Sequence, residues 1–192
     1  MMRIITGAAR GTQLVTLEGE ATRPTAERVK EAVFSAIQFD VAEARFLDLF
    51  AGSGQMGLEA VSRGASLAVL ADASADAIAI IKENAKKTRL FDRCRIVNYA
   101  YAEYLKGYAR TGEPSFDIVY IDPPFAEKMY AVVLKRLAAS GAIDVHTKVI
   151  VESETPDIFG SDNETEALYT VTKSAKYGRI YITYLYLKAK EE

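Results

Sequence analysis

The feature that most constrains this chain is Gly52-Ser53-Gly54-Gln55-Met56-Gly57, a glycine-rich turn between an apolar run and a helical pattern. Arg45–Phe50 (RFLDLF) is short and apolar and reads as a buried strand, and residues 55–63 carry helical spacing. A strand that enters such a turn and leaves as a helix lets bare backbone approach a ligand. Asp72 lies twenty residues beyond Gly52, at the end of the next apolar run, Leu67–Asp72, where a carboxylate can accept a ribose hydroxyl. The pattern predicts a nucleoside cofactor and admits a nicotinamide dinucleotide. The plain alternative is a tight turn with no ligand.

The remaining chain repeats this alternation. Val29, Ala32, Val33, Ala36 and Ile37 fall on one face of a helix over 25–38, and Ile78, Ile81 and Ala85 on one face of another over 74–88. Strands are expected at Arg95–Tyr99, Asp117–Asp122 and Lys148–Glu152, with a helix over 126–139 before the last of them. Two alternating segments, 166–173 and 179–188, read as an antiparallel hairpin. Strands separated by helices predict an α/β domain, its mostly parallel sheet covered on both faces.

A length of 192 residues is enough for one domain with its own core, and the composition, 49% apolar and 26% charged, is ordinary for a globular protein. One cysteine, Cys94, allows no internal disulfide. No apolar run is long enough for a membrane span, and residues 1–7 have no secretory leader's apolar stretch, so a cytoplasmic location is expected. The formal charge of −2 hides opposed patches. Residues 82–95 and 173–190 are basic, while 152–166 carry six acids and no base. A nucleic-acid contact would therefore have to be local.

Two features favour S-adenosylmethionine over a dinucleotide. Asp48, inside the first strand, is a poor neighbour for a pyrophosphate but can meet the ammonium of an amino-acid moiety. It can also serve merely as a capping acid. The second feature is Asp122-Pro123-Pro124-Phe125, directly after the fourth strand. Ligands of open α/β sheets bind outside the carboxyl ends of the strands, so one crevice can collect the glycine loop, Asp72 and Asp122. An exocyclic amine donates two hydrogen bonds. Asp122 and the carbonyl of Pro123 can accept both and aim the nitrogen lone pair at a methyl group, with Phe125 stacked on the base. The alternative is a Pro-Pro turn whose acid bonds only to its own loop.

At these residues the chain resembles the RsmD-like guanine-N2 methyltransferases of bacterial small-subunit (16S) ribosomal RNA. The resemblance runs through Arg3–Gly11, Thr22-Arg23-Pro24-Thr25 to Glu31, Leu47–Gly54, Asp72, Asp122–Phe125 and Tyr177-Gly178. It implies a class I, Rossmann-like methyltransferase fold with a seven-stranded, mostly parallel sheet and a C-terminal antiparallel hairpin. Residues 1–40 would form an RNA-contacting extension, a short hairpin plus helix, before a catalytic domain over 41–192. Asp48, Ala51, Gly52, Ser53, Gly54, Asp72, Ala73, Ala100 and Tyr101 would hold S-adenosylmethionine, and Asp122, Pro123 and Phe125 would carry the chemistry. Ala100 stands where relatives commonly have an acid that meets adenine, which leaves that role to backbone, Tyr101 or Asn98. The implied partner is small-subunit RNA in an assembling subunit, bound by a monomer without metal.

Arg3, Arg10, Arg23 and Arg28 are candidate phosphate contacts near the start, and Tyr177 and Arg179 in the terminal hairpin turn. Lys30 is expected on a solvated helix face paired with Glu27 or Glu31, and Lys82, Lys86 and Lys87 on another outer face. His146 has no ligand-spaced neighbour, Cys94 reads as a small core residue, and Tyr101, Tyr104 and Tyr108 read as packing residues. The rival activities are methylation of a different amine, such as adenine in DNA or a protein glutamine, and nicotinamide-dependent oxidoreduction. A non-catalytic RNA-binding module would leave Asp122 superfluous, and the chain has no room for a separate DNA-recognition domain.

Overall fold

The computed structural model describes residues 2–16, 24–124 and 129–189. Its elements, in order, are α1 (Pro24–Ala36), β1 (Arg45–Asp48), α2 (Gln55–Ser62), β2 (Leu67–Asp72), α3 (Ala75–Lys87), β3 (Cys94–Asn98), α4 (Tyr101–Tyr108), β4 (Ile118–Ile121), α5 (Tyr130–Ala139), β5 (Lys148–Ser153), α6 (Asn163–Ala167), β6 (Tyr169–Tyr177) and β7 (Ile180–Leu187). One seven-stranded sheet runs in the order β3-β2-β1-β4-β5-β7-β6. The first five strands in that order are parallel, and β7 joins β5 and β6 antiparallel.

Alternation along each strand splits the apolar residues between two cores. Phe46, Ala68, Leu70, Ile118, Tyr120 and Ile150 face one core, with Val33, Phe34 and Ile37 from α1 and its following turn, and Val61 and Ile81 from α2 and α3. Leu47, Val69, Val119, Ile121, Val149 and Val151 face the other, with Leu105 of α4 and Val133 and Leu137 of α5. Strands covered on both faces have no solvated side, and so β4 (IVYI) is apolar throughout.

Residues 2–16 belong to the first core. Ile4, Ala9 and Leu14 are buried in it, and an Arg3–Gln13 bridge closes the segment into a hairpin. The hairpin lies against α2, where Gly7 has φ of 87° and a Cβ there would sit 1.8 Å from the Ser62 carbonyl oxygen. Glu59, with none of its surface exposed, accepts the N–H groups of Ile5 and Thr6 at 2.7 and 3.0 Å and the Arg63 guanidinium at 2.7 Å. A buried carboxylate is tolerated when it is both paired and hydrogen-bonded in this way.

Two expectations need correction. Lys30 is buried, not solvated; its ammonium donates to the Arg3 carbonyl at 2.7 Å and lies 4.0 Å from Glu59, and burial lowers its pKa. The first hairpin strand begins at Tyr169, because residues 163–167 form α6, capped by Asp162 accepting from the Thr165 N–H. Residues 101–108, whose tyrosines have partly helical spacing, form the helix α4, in which Tyr104 and Tyr108 pack together as expected. The start of the helix expected over 126–139 lies partly outside the described residues, and α5 accounts for Tyr130–Ala139. Among the described residues no helix is long and apolar enough to cross a membrane.

Candidate active site

The carboxyl ends of β3, β2, β1, β4 and β5 share one edge of the sheet. Sheet order reverses at β1, whose neighbours are β2 and β4, and α/β sheets open a crevice at such a point. Asp48 ends β1, Asp72 ends β2, Asn98 ends β3 and Asp122 directly follows β4. The register, Asp48 beside Leu70 and Tyr120 and Asp72 beside Asn98, sets these polar residues next to each other at the edge.

The glycine loop is tied down from both sides. Gly52 donates its N–H to Asp72 Oδ2 at 2.8 Å, and Ala51 donates to the Ala71 carbonyl at 2.9 Å. Gly54 precedes α2 with φ of 79°, a left-handed conformation that glycine adopts without strain. Gly57 sits so close to β2 that a Cβ would meet Leu70 Cδ2 at 2.5 Å. Asp72 Oδ1 also accepts the Ser74 N–H at 2.8 Å, and Asn98 Nδ2 donates to the carbonyls of Asp72 and Ala73, both at 3.0 Å. Ala73 is exposed at this edge, Ala100 precedes α4, and the Tyr101 ring packs 5.4 Å from that of Phe50.

Asp48 is buried. Its Oδ2 accepts the Gly57 N–H at 3.1 Å, the capping contact weighed above, and no basic side chain lies against it among the described residues. Burial pushes its carboxyl up to about 7, against an opposing pull from the Gly57 hydrogen bond. Asp122 is half-buried, Pro123 buried and Pro124 exposed, whereas Phe125 lies outside the described residues.

Of the candidate RNA contacts, Arg10 is exposed at the tip of the N-terminal hairpin and Arg28 is exposed on α1. Arg3 donates to Glu27 at 2.8 Å, which leaves it partly committed, and Arg23 lies outside the described residues. Tyr177 ends β6 and packs against the first core, and Arg179 is exposed in the following turn. Because β7 runs antiparallel to β5, with Tyr181 beside Ser153, that turn comes to the same edge as the glycine loop and Asp122.

Three residues of the site were not anticipated from the sequence. Asn84, fully buried in α3, accepts the Val15 N–H at 2.8 Å and donates at 2.9 Å to the carbonyls of both Val15 and Ser53. It joins the N-terminal segment to the glycine loop, as does Ser53 Oγ donating to Met2 Sδ at 3.1 Å. Its signal was its place on the inward stripe of Ile78, Ile81 and Ala85, where a polar residue needs a reason. The other two are Tyr120 and Glu152, whose hydroxyl and carboxylate form a short hydrogen bond. Neither His146, which is exposed, nor Cys94 offers catalytic chemistry; burial raises the Cys94 thiol to about 12. Among the described residues no His, Cys, Asp and Glu side chains group as a metal site.

This strand order, the glycine loop between β1 and α2 and the acids at the carboxyl edge define the Rossmann-like fold of class I methyltransferases. The chain belongs to the family described as Conserved hypothetical protein 95, whose model matches residues 2–186. It is 36% identical over 154 residues to the ribosomal RNA small subunit methyltransferase D of Escherichia coli, covering 80% of this chain and 75% of that one. The Haemophilus influenzae protein of the same name is 30% identical over 154 residues, covering 80% and 79%. Among solved structures, "Putative methyltransferase yhhF" from Escherichia coli superposes with a TM-score of 0.81 at 26% identity, covering 98% of this chain and 99% of that one.

Proposed function

We propose that this protein transfers a methyl group from S-adenosylmethionine to the exocyclic N2 amine of a guanine in small-subunit ribosomal RNA. The observation that carries the reading is the convergence, at one sheet edge, of the Asp72-anchored glycine loop and Asp122-Pro123-Pro124. The names of the curated relatives support ribosomal RNA as the substrate class.

The residues present fit the cofactor. Each oxygen of Asp72 takes one backbone N–H and keeps lone-pair capacity for a ribose hydroxyl. Asp48, buried without a cation, suits an ammonium group, whose arrival favours the ionised carboxylate. The cofactor supplies an activated methyl on a sulfonium centre. Asp122 and the Pro123 carbonyl hold the two amine hydrogens, orient the nitrogen for in-line attack and so supply positioning more than acid–base power. Phe125 stacks on the extruded base. Arg10, Arg28, Tyr177 and Arg179, with Arg3 and Arg23, contact the RNA around the crevice. On this reading residues 1–40 are the specificity element of a cytoplasmic monomer acting on an assembling subunit, which brings its own folded structure.

The test is transfer of labelled methyl to small subunits from cells lacking this protein, followed by mapping of the modified nucleotide. Transfer to one guanine is expected, with Asp122→Ala slower by at least about a thousandfold, the scale of lost transition-state positioning. Equal activity of the two proteins, or no label in RNA, overturns the reading. Stabilisation by a nicotinamide dinucleotide in place of S-adenosylhomocysteine points to the oxidoreductase instead.

A further inference from the structure

Glu152 is a carboxylate without a structural explanation. It sits near the end of β5, recessed from solvent, and among the described residues its one hydrogen-bond partner is the Tyr120 hydroxyl and no base pairs with it. Burial raises its pKa. A lone recessed acid lowers stability and is retained where its chemistry is needed. By contrast the buried Glu59 holds two backbone N–H groups and an arginine.

Its position gives it something to do. Tyr120 pairs with Ile150 and Ile121 with Val151 in the parallel β4–β5 register, so the same register carried one residue past the end of β4 would set Asp122 beside Glu152. Residues two apart on a strand point to one face. Tyr120 and Asp122 therefore share a face, as do Ile150 and Glu152, and the Tyr120–Glu152 hydrogen bond shows that the face is common. The hydroxyls of Tyr120 and Tyr130 both feel the charges of Asp122 and Glu152, placing the two acids around one small volume. Tyr120, anchored in the first core, holds one carboxylate oxygen of Glu152 and leaves the other with no donor among the described residues.

We propose that Glu152 selects guanine by accepting the ring N1–H of the base whose neighbouring N2 amine is held by Asp122 and Pro123. This rests on the guanine-N2 reading above. In guanine, N1–H and the N2 amine are adjacent donors on one edge, which suits two adjacent groups of acceptors. In adenine the ring nitrogen beside the amine is itself an acceptor, and a carboxylate facing it is repelled and left unpaired. A site built to pair a substrate N–H rejects an analogue lacking it far more strongly than shape alone can.

The test uses small subunits reconstituted with RNA whose mapped target guanine is replaced by 2-aminopurine, which keeps the amine but presents N1 as an acceptor. The wild-type protein should use 2-aminopurine at least about a hundredfold less well than guanine, the scale of one lost bidentate contact with an orphaned partner. Glu152→Gln places a donor opposite N1, so its preference should reverse while its affinity for S-adenosylhomocysteine stays unchanged. Equal use of both bases by the wild-type protein overturns the proposal whatever the variant does. So does an unchanged preference in Glu152→Gln, or a variant that binds S-adenosylhomocysteine normally yet is inactive on both bases. Failure of the wild-type protein to methylate guanine at all would instead remove the underlying function.

Discussion

Asp72 and Glu152 are both carboxylates at the carboxyl edge of the sheet, yet they are held on different terms. Asp72 takes backbone N–H groups from Gly52 and Ser74, and its own main chain is held by Asn98. Among the described residues Glu152 has a single donor, the Tyr120 hydroxyl. The cofactor side is thus preorganised by backbone hydrogen bonds fixed once β2, β3 and the glycine loop are in register. Glu152 keeps, among the described residues, one oxygen for the donor that a substrate would bring. On the proposed reading, the tied half sets where the methyl group lies, and Glu152 is fully paired only by the right base.

The contrast can be broken most forcefully through Asn84, which fastens the rigid half from behind. Asn84→Leu keeps much of the volume but strands the Val15 N–H and carbonyl and the Ser53 carbonyl in a buried setting. The expected cost is about 3 kcal/mol in chemical denaturation, by the cost of orphaned buried polar groups. Weaker binding of S-adenosylhomocysteine should follow, since Ser53 belongs to the loop. A loss below about 1 kcal/mol would mean that the loop is held by other contacts.

Next in size is Asp72→Ala, which releases the Gly52 N–H as well as the proposed ribose contact. Calorimetry should give about thirtyfold weaker S-adenosylhomocysteine binding, some 2 kcal/mol. An affinity within about twofold of wild type would show that Asp72 is not what preorganises this side.

The smallest expected effect comes from Asp48, set between the two halves. Its carboxyl is raised from the ordinary 3.8 to about 7 by burial, so at pH 6 most of the folded protein keeps this proton. The proposed pairing with the cofactor ammonium requires the ionised form. Affinity for S-adenosylhomocysteine should therefore fall about tenfold from pH 8 to pH 6, with proton release on binding near pH 6, and Asp48→Asn should flatten the profile. The linkage to folding has the opposite sense. The group favours the fold below about pH 4 and progressively loses that contribution up to about pH 7, as the unfolded chain ionises first. Asp48→Asn should remove this loss from the pH dependence of the melting temperature. An affinity that is flat in the wild-type protein would place the ammonium elsewhere.

Much of this architecture is legible in the chain. The glycine turn, the apolar strands and the Asp-Pro-Pro stop each report a local constraint, so the sheet edge and the acids at Asp48, Asp72 and Asp122 follow from short windows of sequence. What escapes such a reading is set by pairs far apart. Lys30 looks like a surface helix residue until the Arg3 carbonyl and Glu59 are placed beside it. Glu152 reads as the first acid of an acidic stretch until β4 brings Tyr120 across. α6 is too short for periodicity to reveal and is instead recognised by its Asp162 cap. Phe125 and Arg23 lie outside the described residues, and their roles stay with the proposed mechanism.

The N-terminal hairpin has a consequence for how the protein is made. Its buried partners are Glu59, Ser62 and Asn84, with Val15 and Asn84 separated by 69 residues in the chain. Residues 2–16 leave the ribosome before α3 but cannot be completed until α3 has been synthesised. Such long-range contacts close late, after the loop-closure entropy of the intervening chain has been met. The hairpin therefore settles later than its place in the chain suggests. Only then does Ser53 add its Met2 contact to the Asn84 hydrogen bond, so that the glycine loop is fully fastened after segments far apart in the chain have met.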